Sequence, residues 1–301
     1  LQERTQGWPA ALWLVSLALR DRGDPQAFVD TFDGSNASIA DYLVEDVLAR
    51  QPENVRWFLL RTSVLHTFNA ALCDHVFQRQ DSRELLAQVE RAHLFLVPQD
   101  QERSWFRYHP LFSGFLRTQL AHTASQEMAE LHRRAAAWWL DEGQPTRAIE
   151  YALHAGDADY LVALLSVNAP TLLWQGRART LARWWSGPQV AERLRDDARL
   201  TLVFAWALTL THRYGESLQL LDGLEAPDAT IDRCALPAAV IHVPRAFILA
   251  MTDRVKESLV QWRACLPEVT REQPFTYAMT GASYGYCLVA ESRFDEARGF
   301  L

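Results

Sequence analysis

The sequence predicts a mainly α-helical protein, in which short helices, one β-hairpin and an array of helical hairpins follow one another along 301 residues. Three observations predict it. Apolar residues recur at helical spacing through most of the chain, and strand-like alternation replaces that pattern only between Leu94 and Tyr108. Near the end, an aromatic-led motif returns at intervals of 41 and 39 residues.

The first helix is expected from Pro9 to about Asp21, because proline suits the opening turn of a helix, where its missing N–H would have had no partner. Gly23-Asp24-Pro25 ends it. Ile39, Tyr42, Leu43 and Val47 mark a second helix over 38–48, closed by Pro52, and the pattern repeats over 53–62, 69–77 and 82–92. Leu94, Leu96 and Pro98 then alternate with Phe95 and Val97, and Trp105-Phe106-Arg107-Tyr108 answers after a polar turn, which reads as a hairpin. Short helices followed by such a hairpin make a winged-helix fold. Its helix over 82–92 sets Glu84 and Glu90 against Arg83 and Arg91, a balance that suits an internal structural wing better than a DNA-groove reader. Helices over 127–140 and 146–155 come next, with Gly156-Asp157 as a stop.

Beyond that point everything reads as helix, with turns expected near Gly176, Gly187, Gly215 and Pro227. Trp206 leads by eight residues to Tyr214-Gly215-Glu216-Ser217-Leu218, Phe247 to Val255-Lys256-Glu257-Ser258-Leu259, and Tyr286 to Phe294-Asp295-Glu296-Ala297-Arg298. A period of about forty residues, with an aromatic on one helix and a small residue opening the next, marks stacked helical hairpins of TPR-like type. The domain organisation this gives is a helical segment over 1–36, a winged helix over 37–122 and a TPR-like α-superhelix over 123–301.

Composition limits the functions open to such a chain. A net charge of −7 disfavours a grip on nucleic acid, which needs a cationic surface to displace counterions. Among 30 basic residues only Lys256 is lysine, and it has neither the glycine nor the hydroxyl of a phosphate loop beside it. Cys73, Cys234, Cys265 and Cys287 lack CxxC spacing, as reduced, buried thiols would. The apolar run from Trp8 to Leu19 has no small-residue cleavage site, so it reads as a buried helix, and no stretch is fit to span a membrane. No HxxxH pair or HExxH run supports a metal, adjacent acids such as Glu45-Asp46 diverge on a helix, and no GxSxG elbow is present. The Trp138-Trp139 and Trp184-Trp185 pairs read as core aromatics, with one of each pair a candidate for a ligand-facing surface.

Several blocks carry a family likeness: Thr5-Gln6-Gly7-Trp8-Pro9-Ala10, Asp41-Tyr42-Leu43-Val44-Glu45-Asp46-Val47-Leu48, Phe58-Leu59-Leu60-Arg61-Thr62-Ser63 and Trp105-Phe106-Arg107-Tyr108-His109-Pro110-Leu111-Phe112. Leu131-His132-Arg133-Arg134-Ala135 and Ala148-Ile149-Glu150-Tyr151-Ala152-Leu153 extend it. On these, the chain resembles the large ATP-binding, LuxR-class transcriptional regulators of the MalT-like group, which are signalling (STAND) ATPases. That resemblance implies a chain order of P-loop ATPase core, winged helix, inducer-sensing superhelix and C-terminal helix-turn-helix. The present sequence, which begins at Leu1 and ends inside a fresh helical unit, would be a piece of it, with residues 1–36 closing the ATPase module.

The resemblance also implies roles for three residues. Gly7 and Pro9 match the glycine-x-proline motif whose proline packs near the adenine, and His109 matches the winged-helix histidine that approaches the β-phosphate of ADP in related switches. Pro110 stands where those relatives often carry aspartate. On this view His109 is presented toward a cleft, ATP or ADP is the cofactor of the intact protein, and this segment binds neither tightly alone. Self-association, a small-molecule or protein inducer on the superhelix, the upstream ATPase module, DNA contact only through a C-terminal domain outside this sequence, and a cytoplasmic location are implied too. This chain is then no enzyme itself. The alternative is a helical-repeat scaffold for protein contacts, in which nucleotide plays no part.

Overall fold

The computed structural model describes residues 48–92, 94–187, 190, 197–225, 238–271 and 274–300. The helix expected over 9–21, nearly all of that over 38–48, Cys234 and the turn at Pro227 lie outside them. The chain divides into two compact units, one through Asp157 and one from Ala158.

In the first unit the elements are α1 (Glu53–Thr62), α2 (Ala70–Phe77), α3 (Ser82–Arg91), β1 (Leu96–Pro98), β2 (Phe106–Tyr108), α4 (Pro110–Asp141) and α5 (Pro145–Ala152). Helix α1 buries Val55, Phe58, Leu59 and Thr62, one stripe at i, i+3, i+4 and i+7. Helix α2 begins where the Asn69 side chain accepts the Leu72 N–H at 2.8 Å, and the carboxylate of Asp74 in turn accepts the Ser82 N–H at 3.0 Å, tying α2 to the start of α3. The strands pair antiparallel, Leu96 with Tyr108 and Pro98 with Phe106. Phe68 adds a further pairing by exchanging two backbone hydrogen bonds of 2.8 Å with Phe106, which ties the loop before α2 to the wing. Phe58, Phe68, Phe112 and Phe115 are almost fully buried around this sheet. Each fully buried large apolar side chain contributes about 2 kcal/mol, so this aromatic cluster is a substantial part of the unit's core.

The helix expected over 127–140 is the second half of one long element, α4, broken by the non-helical backbone of Ala124 (φ −152°, ψ 47°). The domain boundary expected between residues 122 and 123 falls beside that break, whereas the compact unit carries on through α5. There Leu131, Ala135, Ala136 and Trp139 of α4 face Ala148, Ile149, Tyr151 and Ala152 of α5, all buried. The alanines let the two backbones approach.

The second unit contains α6 (Ala158–Trp174), α7 (Ala178–Trp185), α8 (Ala198–Leu210), α9 (Tyr214–Glu225), α10 (Ala238–Met251), α11 (Val255–Cys265), α12 (Pro274–Ala290) and α13 (Phe294–Phe300). The three motif repeats open α9, α11 and α13 at Tyr214, Val255 and Phe294, as the spacing requires. The small residue of the motif has a polar task as well: Ser217 Oγ donates to the Ala205 carbonyl at 2.9 Å and Ser258 Oγ to that of Ala246 at 2.7 Å, each across its hairpin. In the third copy Ala297 holds the place and is buried.

The turn within each hairpin is also shared. His212, Asp253 and Ser292 are left-handed (φ 61°, 60° and 60°), and the following N–H groups of Arg213, Arg254 and Arg293 reach back to Leu208, Leu249 and Leu288. Each of those arginines pairs with a glutamate three residues on. The same turn stands at Gly176 before α7, at Gly143 before α5 and at Gln78 after α2, where the Arg79 N–H reaches back to Asp74, so this local geometry occurs six times among the described residues. Gly215, expected at a turn, is instead the second residue of α9, because the left-handed position falls to His212. Helix α8 buries residues on every side, as a central helix must.

Candidate functional site

The end of the wing is built by short-range geometry. Asp100 accepts the Ser104 N–H at 2.8 Å and the Trp105 N–H at 3.2 Å, which closes the turn and returns the chain along β2. Tyr108, at the end of that strand, is buried with its hydroxyl 2.7 Å from Thr62 Oγ1. Because the Thr62 hydroxyl donates to the Phe58 carbonyl at 2.7 Å, the tyrosine is the donor in the pair. Burial pushes the Tyr108 phenol far above its ordinary range, so it stays protonated and keeps donating.

His109 is the hinge from strand to helix. Its backbone is extended (φ −56°, ψ 137°), its N–H donates to the Phe95 carbonyl at 3.0 Å, and its own carbonyl receives the Ser113 N–H at 3.0 Å. Pro110 occupies the first turn of α4, where it forfeits no hydrogen bond. Phe95, with φ 55°, lies edge-on to Phe112 at 4.8 Å, and Tyr108 lies edge-on to the same ring at 5.6 Å. His109 is 8% exposed, held at a junction whose neighbours are large aromatics. Gly7 and Pro9 lie outside the described residues, so the three expected nucleotide residues are not seen together.

A second group of titratable side chains was not legible as a group. His66, His132 and His154, which share no motif, gather about Tyr151: the His66 N–H donates to the tyrosine hydroxyl at 3.0 Å, His132 is 6.0 Å from the phenol ring, and the His132 and His154 rings are 5.4 Å apart. Burial is the main cause that drives His132 down to about 4, with His154, His66 and Arg117 adding to it. His66 is lowered by burial and Arg117, while Glu150 pulls it back up. Burial raises Tyr151 to about 12. Nδ1 of His132 is buried without a hydrogen-bond partner. Among the described residues no group of three histidines, cysteines or acids is spaced to hold a metal ion.

The remaining candidates are structural. Cys73, Cys265 and Cys287 are free and buried, with burial raising each thiol, so none is poised as a thiolate. Trp139 and Trp184 are buried while their neighbours Trp138 and Trp185 are partly exposed, the division that an amphipathic helix imposes on adjacent residues. Among the described residues no helix is long and apolar enough to cross a membrane.

Residues 44–128 match the MalT winged helix domain. The chain is 37% identical over 222 residues to the HTH-type transcriptional regulator MalT of Klebsiella pneumoniae subsp. pneumoniae, an alignment covering 71% of this chain and 24% of that protein. It is likewise 37% identical over 217 residues to the HTH-type transcriptional regulator MalT of Cronobacter sakazakii, again with 71% and 24% covered. The chain thus spans about a quarter of the length of the curated relatives it matches, and over the aligned part it is MalT-like. The matched domain runs from just before α1 to the second half of α4, and so contains the wing, His109 and the Ala124 break.

Proposed function

We propose that this chain is the winged-helix and helical-array portion of a MalT-type transcriptional regulator, in which the wing relays nucleotide state to an inducer-sensing superhelix. The observation that carries the regulator reading is the likeness to MalT regulators over 71% of the chain, joined to a wing assembled from β1, β2 and Phe68. DNA contact then belongs to a helix-turn-helix domain outside this sequence, in keeping with the net charge of −7. The intact protein is a slow, cytoplasmic signalling ATPase that self-associates when ATP replaces ADP.

Within that reading His109 answers the β-phosphate of ADP, and Gly7 and Pro9 border the adenine. Support comes from placement: His109 closes the wing on one side and opens α4 on the other, so a force on its ring reaches both elements. Since the residue is buried, its ring must turn out of its packing to donate to a phosphate oxygen. The contact is therefore conditional on conformation, as a switch requires. The same burial favours a second reading, a repeat scaffold in which His109 is a packed helix-start residue with no nucleotide role.

His109→Ala in the full-length regulator separates them. Loss of one hydrogen bond to a charged phosphate is expected to speed ADP release by roughly tenfold or more and to raise basal promoter output. Unchanged ADP release and basal output would leave the scaffold reading standing.

A further inference from the structure

At the tip of the wing, a cavity of about 520 Å³ lies between the β1–β2 turn and the C-terminal end of α4, wholly within the first unit. Three indoles build it. Trp105, from the wing, is stacked on Trp139 at 5.5 Å with the ring planes 21° apart, and Trp138 closes edge-on to both, 6.1 Å from Trp105 and 4.7 Å from Trp139. Adjacent tryptophans on a helix diverge, so one indole packs inward while the other is left partly exposed beside the cavity; the wing supplies the third.

The charged groups among the described lining residues are Asp100, Glu142 and Arg147, a net charge of −1. Asp100 accepts hydrogen bonds from Ser104 and Trp105 within its own turn, but its charge remains, held ionised chiefly by the Ser104 hydroxyl. Glu142 sits just beyond the end of α4 on an exposed turn. Arg147 reveals the chemistry of the place: its guanidinium lies 4.3 Å from the centroid of the Trp139 ring. The aromatic cluster already receives one planar cation from within the chain, in the geometry that ring quadrupoles favour.

We propose that this cavity binds an organic cation, a guanidinium or alkylammonium group, against the Trp105 and Trp138 indoles, with Asp100 and Glu142 balancing its charge and Arg147 acting as the competing internal occupant. Such a group comes either from a free small molecule or from an arginine or lysine side chain of a protein partner. The shared chemistry is a positive charge carried on an organic body that can pack against an aromatic wall, which separates it from sodium or potassium.

The test is titration of the 301-residue chain with arginine ethyl ester, followed by the indole N–H resonances of Trp105 and Trp138, which are assigned by Trp105→Phe and Trp138→Phe. Every ligand has its amino terminus acetylated, so that citrulline ethyl ester at matched ionic strength is the uncharged counterpart. Saturable shifts are expected with the arginine ester, on the order of tenfold weaker with the citrulline ester and several-fold weaker in the exposed-site variant Glu142→Gln. Arg147→Ala is expected to tighten binding by removing the internal competitor. A glycyl-arginyl-glycine amide that binds more tightly than the ester assigns the cation to a protein partner, and equal binding assigns it to a free ligand. Equal response to the two esters, no saturation with either, or loss of binding in Arg147→Ala would overturn the proposal, the last because Arg147 would then be a support of the site and not its competitor.

Discussion

Helix ends in the winged helix are finished by several devices, and the turn that recurs through the hairpins appears in it once, at Gln78 after α2. Asn69 caps α2 with its own side chain, Asp74 reaches from α2 to the start of α3, and Thr62 at the end of α1 receives a tyrosine hydroxyl from the wing. From Gly143 to Arg293 one turn is used again and again, a left-handed residue followed by an N–H reaching back to the helix before it. The winged helix is held by contacts that occur once, and those that tie its helices to the wing, Thr62–Tyr108 and Phe68–Phe106, join residues far apart in sequence. The hairpins are held by contacts that recur between residues close in sequence. A single substitution should therefore be decisive in the former and modest in the latter.

The strongest attempt to break that contrast is Phe112→Ala. The ring is fully buried and touches Phe95, Tyr108 and Phe115, so its loss should cost the first unit about 3–5 kcal/mol, read as a fall in the urea midpoint. Amide exchange within α8 should keep its protection; equal loosening of both units would erase the distinction.

Acid should also strike the first unit. His132 is held at about 4 when folded and returns to about 6.5 when unfolded, so the unfolded chain binds the extra proton between those values. Its contribution is complete above pH 6.5 and drains away as the pH falls toward 4, at no more than about 1.4 kcal/mol per pH unit. The groups facing it are His154 and Tyr151 from α5 and its end, His66 from the loop after α1, and Arg117 from the first half of α4. His132→Phe should flatten the profile; a wild-type profile already flat from pH 7 to about 4.5 would contradict the placement of that ring.

The mildest test sharpens the other half of the contrast. Ser217→Ala and Ser258→Ala each remove one buried hydroxyl bonded across a hairpin, and each should cost about 1 kcal/mol. The two values should agree within about 0.5 kcal/mol if the hairpins are modular. Unequal values would trace to the second partners, Thr209 Oγ1 at 2.9 Å from Ser217 Oγ and the Cys287 thiol at 3.4 Å from Ser258 Oγ.

What could be read ahead of the structure follows the same division. The bounds of α1, the span of α2 to within a residue, the hairpin and the starts of α9, α11 and α13 were legible because each is written in neighbouring residues. The Phe68–Phe106 rung, the Thr62–Tyr108 pair and the gathering of three histidines about Tyr151 were not, since each joins positions that only tertiary folding brings together. The turn assigned to Gly215 was misplaced for a local reason: the array puts histidine, aspartate and serine in the left-handed position where glycine would have announced it. At the candidate site, the position of His109 at the strand–helix junction was legible, but its burial was not, because the aromatics around it come from β2, α4 and the residue before β1.

The break at Ala124 has a geometric consequence. Before it α4 buries Leu111, Phe112, Phe115, Leu116 and Leu120, and after it Leu131, Ala135, Ala136 and Trp139. Wound as one unbroken spiral at 3.6 residues per turn, these two sets would point roughly 170° apart. A straight rod could satisfy one set of neighbours only by turning the other toward water. One distorted residue re-aims the second half, so a single stretch of chain serves as the back wall of the wing and as the opening arm of the hairpins.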